Sequence, residues 1–187
     1  MTRLQAGRDS RVSVARCRGS VAQPSMTDTP SPGRPVSASK VEMTEIAFPN
    51  DANPLGNVMG GRVMQWIDIC AAVAAGRHAR TPVVTASVDQ IDFHNPVPVG
   101  GVIVLLASVN FTGRTSMEVG VKVFQEERAT GNRTHVVSAY LTFVSLDPAT
   151  RQPRAVPPVL PETADEKRRF ADAKRRREHR LAARLRN

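Results

Sequence analysis

Apolar positions change their spacing along this chain, and each change predicts a different kind of element. Over residues 61–75 the sequence GRVMQWIDICAAVAA puts Val63, Ile67, Cys70 and Ala74 on one helical face, while Met64, Trp66, Ile69, Ala71 and Val73 cover most of the remaining circumference. A helix that is apolar nearly all round is a buried helix. Gly76 offers it a C-cap, with Arg77, His78 and Arg80 near the negative end of its dipole. From residue 83 onward the spacing shortens to that of strands. Residues 83–93 are rich in β-branched side chains but switch phase, with Ala86 and Val88 on one parity and Ile91 and Phe93 on the other. A bulge near Asp89 and Gln90 accounts for the switch.

Pro96, Pro98, Gly100 and Gly101 make the next turn, and residues 102–111 are apolar on both parities, as in a strand buried on both faces. Met117, Val119, Val121 and Val123 alternate with Glu118, Gly120 and Lys122, the pattern of a strand with one wet face. Thr130, Gly131 and Asn132 mark a tight reversal before a last strand over 134–146, which Asp147 and Pro148 end. Residues 41–48 alternate loosely and supply a strand ahead of the helix. The expected class is α+β: an antiparallel sheet of about five strands wrapped around a long central helix.

Two polar features break this pattern. Asp68 sits in mid-helix with Gln65 one turn earlier and Ala72 one turn later, and burying an unpaired carboxylate costs several kcal/mol, on the order of 3–5. Either it is a structural acid, bonded to a neighbouring strand or exposed at a subunit interface, or it lines a site near the start of the helix. There the amides of Gly60 and Gly61 lack intrahelical partners and carry the positive end of the dipole, so they can hold a developing oxyanion. A carboxylate one or two turns along can serve as general base toward water. The second feature is the Asn/Gly-rich turn PNDANPLGNVMGG that leads into the helix, where Gly56, Gly60 and Gly61 let the backbone bend and approach a ligand closely.

The ends differ from the centre. Residues 1–39 hold six Arg and two Asp, are rich in Ser and Pro, and lack apolar periodicity, so they are expected to form a disordered extension. Arg3, Arg8, Arg11, Arg16 and Arg18 suit an organellar presequence; a translation start at Met26 is the simpler alternative. Residues 40–150 hold eight basic and ten acidic side chains and form the folded domain; residues 151–187 hold twelve basic and five acidic. The net charge of +9 therefore belongs to the tails, which argues against a nucleic-acid-binding core. In the C-terminal region Pro153, Pro157, Pro158 and Pro161 make an extended linker. Thr163 with Glu166 then reads as a capping box for a basic helix reaching about residue 185. With few apolar positions (Phe170, Ala171, Leu181, Ala182, Leu185), that helix is expected to be solvated or frayed; RNA, phosphorylated ligands or a membrane surface are weaker candidates as its partner. Cys17 and Cys70 cannot form a disulfide framework, which points to a reducing compartment, the cytoplasm. No apolar run is long enough to span a bilayer.

The strings DANPLGNVMGG and MQWIDICAA, followed in order by VVTASVDQIDFHNPVPVG, FTGRTSMEVGVKVF and AYLTFVSLDP, resemble the hotdog-fold acyl-CoA thioesterases, in the branch of brain-type acyl-CoA hydrolase and the small bacterial acyl-CoA thioesterases. The resemblance runs over roughly residues 41–161. It implies hydrolysis of an acyl-CoA thioester to a carboxylic acid and coenzyme A, with no cofactor beyond the substrate. It also implies that Asp68 is the catalytic carboxylate, as general base or as nucleophile, and that it works with Asn53 across the interface of a homodimer, three such dimers being the expected assembly. Gly60 and Gly61 take the oxyanion, and Arg114, Thr115 and Ser116 match the coenzyme-A-binding segment. Taken alone, Asn53 is an ordinary turn residue, with Asn57 a competing candidate beside it, and Arg114–Thr115–Ser116 is an ordinary strand start.

Two positions depart from the family pattern. Met59 stands where many relatives have His, and Gly101 where many have an acid. His78, His94 and His135 lack metal-site spacing, and no Ser lies in a G-x-S-x-G elbow, so neither a metal nor a serine nucleophile is expected. A noncatalytic acyl-CoA-binding module and a hotdog enoyl-CoA hydratase are the competing functions.

Overall fold

The central helix and the sheet that curls around it set the position of everything else. The computed structural model describes residues 32–184; the proposed presequence, Met26, Cys17 and Leu185 lie outside the described residues. Strand β1 is Arg34–Pro35, followed by a 3-10 turn at Val36–Ser39, β2 at Val41–Ile46 and a second 3-10 turn at Pro49–Asp51. Helix α1 runs Gly60–Ala79, then β3 Val83–Phe93, β4 Val102–Thr112, β5 Ser116–Glu126, β6 Arg133–Ser145, β7 Val159–Leu160 and α2 Ala164–Arg184.

The five long strands form one sheet in the order β2-β4-β5-β6-β3, every neighbouring pair antiparallel. Register carries the apolar pattern straight across it. Val109 pairs with Val119 and Val119 with Leu141, one row of buried apolar side chains facing α1, and the exposed Val88 continues it at the sheet edge. Against these rows α1 packs Val63, Trp66, Ile67, Cys70, Ala71 and Ala74. Burial of that order stabilises by roughly 25 cal/mol per Å² of apolar surface removed from water. This is the hotdog arrangement.

Several local expectations change. Helix α1 does not stop at Gly76 but continues to Ala79. Its C-cap is Arg80 in the left-handed region (φ 55°), whose N–H bonds the Gly76 carbonyl at 2.8 Å. The helix is also buried on one side only: Met64, Ile69 and Val73 stay 42–46 % exposed in the single chain. The bulge expected near Asp89 is present, together with a second one at the Thr85/Ser87 step.

The folded chain starts before residue 40. β1 pairs in parallel with β7, and Val36 and Ser39 are buried, Ser39 Oγ accepting the Val109 N–H at 3.0 Å. The proline-rich segment therefore holds strand β7 rather than forming only a linker. Nor is α2 a solvated tail. It lies on the outer face of the sheet, with Phe170 packed on Phe111 and Ala173 fully buried, and Arg176 ion-pairs Glu118 at 2.7 Å while lying 3.7 Å over the Tyr140 ring. Glu118 is only 3 % exposed, so the face of β5 expected to be wet is dry along that stretch. The Thr163–Glu166 capping box does form.

The strap after β6 is tied to the end of α1 through His78, which is fully buried and donates from Nε2 to the Pro157 carbonyl at 2.9 Å, leaving Nδ1 without a partner among the described residues. Burial, aided by the Arg34 charge and opposed by the Pro157 bond, holds the imidazole below its usual titration range. The unfolded chain therefore takes up this proton first as pH falls. Stability is expected to be full above about pH 6.5 and to decline below it, toward the lowered folded-state value. Chemical-denaturation midpoints from pH 8 to 5 check this, and His78→Gln should flatten the slope.

Candidate active site

The turn ahead of α1 is built by its own polar side chains. The Asp51 carboxylate accepts the Phe48 N–H at 3.0 Å and ion-pairs Arg62 of the first helical turn at 2.9 Å, which fixes the entry of the chain into the helix. Asn53 Oδ1 accepts the N–H groups of Leu55 (2.9 Å) and Asn57 (3.1 Å), so the turn-forming role is real. That leaves the Asn53 amide NH2, which donates to nothing among the described residues. It borders a 330 Å³ pocket with Asn57, Gly60, Val63, Phe93, His94 and Val97. Asn57, the competitor, borders the same pocket.

Gly60 and Gly61 open α1 after Met59, which provides no side-chain cap, and among the described residues neither glycine N–H has an acceptor. These free amides sit at the positive end of a 20-residue helix. Asn53 and Gly60 therefore share one pocket, whose lining holds no carboxylate.

Asp68 stands elsewhere. It lies two helical turns further on, about 12 Å along the axis from Gly60 at the usual rise, on the open side of α1 with Met64, Ile69 and Val73. Its Oδ1 accepts a 2.7 Å hydrogen bond from Thr85 Oγ1 of β3. Gln65 is engaged by Arg62 at 2.7 Å. Thr85 escaped the sequence reading because an isolated Thr in a β-branched strand carries no periodic signal; only the fold brings it to the acid.

The Arg114–Thr115–Ser116 segment is the β4–β5 turn. Its backbone is held by Gly113 N–H to Ser116 O (2.7 Å), Ser145 N–H to Thr115 O (2.9 Å) and Val156 N–H to Arg114 O (3.0 Å), which leaves the Arg114 side chain exposed. Ser116 pairs with Val144, which pairs with Val84, one residue from Thr85. The turn thus lies at the Asp68 end of the sheet, two strands away, about 10 Å at ordinary strand spacing. His94 stacks on His135 with centroids 4.8 Å apart, and burial, with the neighbouring His94, holds the His135 imidazole below its usual range. Among the described residues no group of three or more His, Cys, Asp or Glu is placed to hold a metal ion.

One chain therefore holds two separate polar clusters: an acid with its hydroxyl partner, and an amide near two backbone N–H groups that have no acceptor among the described residues. Residues 55–132 match the family model described as the thioesterase superfamily. An uncharacterised acyl-CoA thioester hydrolase of Bacillus subtilis is 42 % identical over 128 residues, 68 % of this chain and 74 % of that protein. The cytosolic acyl coenzyme A thioester hydrolase of mouse is 35 % identical over 93 % of this chain, which spans only 45 % of its length. Among solved structures, an acyl-CoA hydrolase of Staphylococcus aureus in complex with butyryl coenzyme A and coenzyme A superposes with a TM-score of 0.78 at 37 % identity, covering 82 % of this chain and 93 % of that one. An apo-hexameric acyl-CoA thioesterase gives 0.78 at 41 %, covering 81 % and 97 %. The chain belongs to the acyl-CoA thioester hydrolases of the thioesterase superfamily. Solved variants of the Staphylococcus enzyme replace an Asn, an Asp and a Thr by Ala. Those three are separated by 15 and 17 residues, as are Asn53, Asp68 and Thr85 here.

Proposed function

We propose that this chain hydrolyses acyl-CoA thioesters at a site completed by two copies, Asp68 and Thr85 coming from one and Asn53, Gly60 and Gly61 from the other. The observation that carries this reading is the separation of the half-sites on a single chain. Strand β3 is one of the two edge strands of the sheet, β2 being the other, and Val84, Val88 and Phe93 along it are exposed, as are Met64, Ile69 and Val73 of α1. An apolar surface of this kind calls for cover. Antiparallel pairing of β3 with its two-fold mate sets the Thr85 end of one strand beside the Phe93 end of the other. Asp68 then approaches the pocket of the second copy, where Asn53 and Gly60 wait. Three such dimers make the hexamer, a reading supported by the hexameric neighbour.

Within that site Asp68 accepts the proton of a water whose oxygen attacks the thioester carbonyl carbon. Thr85 occupies Oδ1 and leaves Oδ2 for the water. Charge developing on the carbonyl oxygen is met by the amides of Gly60 and Gly61, while the free NH2 of Asn53 holds the water or the thioester. The C–S bond breaks, the thiolate of coenzyme A leaves with the proton from Asp68, and the carboxylic acid departs. Arg114, Thr115 and Ser116 take the phosphates or the pantetheine arm. Water is the only co-reactant, so no cofactor is required. No described helix is long and apolar enough to cross a membrane, and the cytosolic mouse relative supports action in the cytoplasm.

Following free-thiol release from short-, medium- and long-chain acyl-CoAs tests the activity. The expected result is turnover with at least one chain length, and none from any of them overturns the proposal.

A further inference from the structure

We propose that Asp89, gripped by Arg180 of the C-terminal helix, is a positioning residue that aims Thr85 at Asp68 through the double bulge of β3. The inference rests on the functional reading above and assigns a role to α2.

Facing of side chains along β3 follows from its partner. Phe143, Leu141 and Ala139 of β6 are core residues, so Thr85, Val88 and Ile91, which pair with them, point toward α1. Ser87 and Gln90 pair with Thr142 and Tyr140 and point to the outer face. From Thr85 to Ile91 the chain therefore contains two extra residues, Ala86 and Asp89. In a ladder of period two, each bulge moves every later side chain to the opposite face. With both bulges in place Thr85, Val88 and the Ile91–Phe93 end of the strand all face inward, an arrangement plain alternation denies to Val88, three residues from both Thr85 and Ile91. Losing either one turns one end outward or slips it by a residue, and a one-residue slip removes the Thr85 hydroxyl from hydrogen-bond reach of Asp68.

β3 has little else to hold this irregular shape in the single chain, because it is an edge strand with a ladder on one side only. What fixes it is the Asp89 carboxylate. Oδ1 accepts Ser87 Oγ at 2.8 Å, and Oδ2 accepts Thr142 Oγ1 at 3.0 Å together with a guanidinium N–H of Arg180. Ser87 and Thr142 are directly opposed across the ladder, the outward-facing one of the two pairs between the bulges. One side chain thus ties the bulged strand to itself, to its neighbour and to α2. Asp89 and Arg180 keep only 10 % and 18 % of their side chains exposed, which makes this a largely desolvated ion pair rather than a loose surface one. One turn earlier on α2, Arg176 is bound to Glu118 in the same manner. The basic helix has committed these two cations to the sheet, where they act as bolts.

Catalytic geometry is sensitive to such support, since a displacement of about 1 Å can cost on the order of a hundredfold in rate. The test is a double-mutant cycle on the full-length protein, using kcat and KM for the best acyl-CoA substrate. Thr85→Ala is expected to lower kcat clearly. Asp89→Ala is expected to lower kcat about tenfold in the wild-type background with KM changed less than about twofold. In the Thr85→Ala background it should change kcat by less than about twofold, because its effect runs through Thr85. A merely structural role gives effects that multiply instead. Should Asp89→Ala fail to fold, Arg180→Met, which leaves both hydroxyl donors on Asp89, is carried through the same cycle with the same criterion. Independent effects, or wild-type kcat in a folded Asp89 or Arg180 variant, overturn the inference while leaving the hydrolase reading standing. Absence of turnover in the wild-type protein overturns both.

Discussion

Asp68→Asn is expected to lower kcat for acyl-CoA hydrolysis on the order of a thousandfold, the upper-middle range for losing a positioned general base. In barrier terms that is about 4 kcal/mol. The substitution is chosen because it keeps the shape of the side chain and retains an amide oxygen to accept the 2.7 Å hydrogen bond from Thr85. Packing on the open face of α1 is therefore preserved. What is lost is the ability to accept a proton from water. Since the Arg114–Ser116 turn lies two strands away and touches neither Asp68 nor Thr85, KM should stay within a few-fold of wild type. A variant retaining more than a tenth of wild-type kcat would mean that the acid on this helix is structural. The same protein should melt close to wild type, because a half-exposed carboxylate with one hydrogen bond contributes about 1 kcal/mol to stability at most.

The parts of this fold that could be read from the chain are those where one period acts alone. Val63, Ile67, Cys70 and Ala74 announced α1, and the β5 alternation of Met117, Val119, Val121 and Val123 gave the strand and its inward face. Even the bulge at Asp89 left a mark, as a change of parity between Val88 and Ile91. Hidden were the features that depend on a partner distant in sequence. Glu118 reads as a solvent-facing residue until Arg176, 58 positions away, is folded onto it. Phe170 looks like an isolated apolar residue in a basic helix until it meets Phe111. Val36 and Ser39 sit in a stretch whose composition suggests disorder, yet they are buried by β4 and α1. Gly76 looked like a helix stop because glycine favours C-caps, whereas burial of His78 and Ala79 carries α1 one turn beyond it. The chemistry divided in the same way. Asp68 and the glycine pair were marked by residue type in an unexpected context and Asn53 only by the family resemblance, while Thr85 had only its place opposite α1.

Mixing two inactive variants is expected to restore activity if the half-sites complete each other across a two-fold axis. Asp68→Ala removes the acid from one half, and Asn53→Ala removes the amide from the other; each homodimer then has two defective sites. In a heterodimer of the two, symmetry sends both lesions into one site and leaves the second with a wild-type Asp68–Thr85 half and a wild-type Asn53–Gly60 half. Random exchange of equal amounts makes about half of all dimers heterodimers, so roughly a quarter of wild-type activity should return. The measurement is thiol release after co-unfolding and refolding the two variants together, with each refolded alone as control. Simple mixing without exchange should give nothing. If Asp68 and Asn53 instead served the same site within one chain, no combination of these two polypeptides could assemble an intact one and activity would stay at the level of the single variants. The geometry here favours recovery, because the lining of the Asn53 pocket contains no acid and, among the described residues, the side-chain hydrogen bond to Asp68 comes from Thr85. On the proposed reading each half has what the other lacks, and restored thiol release from the refolded mixture is the result that a second copy bringing them together predicts.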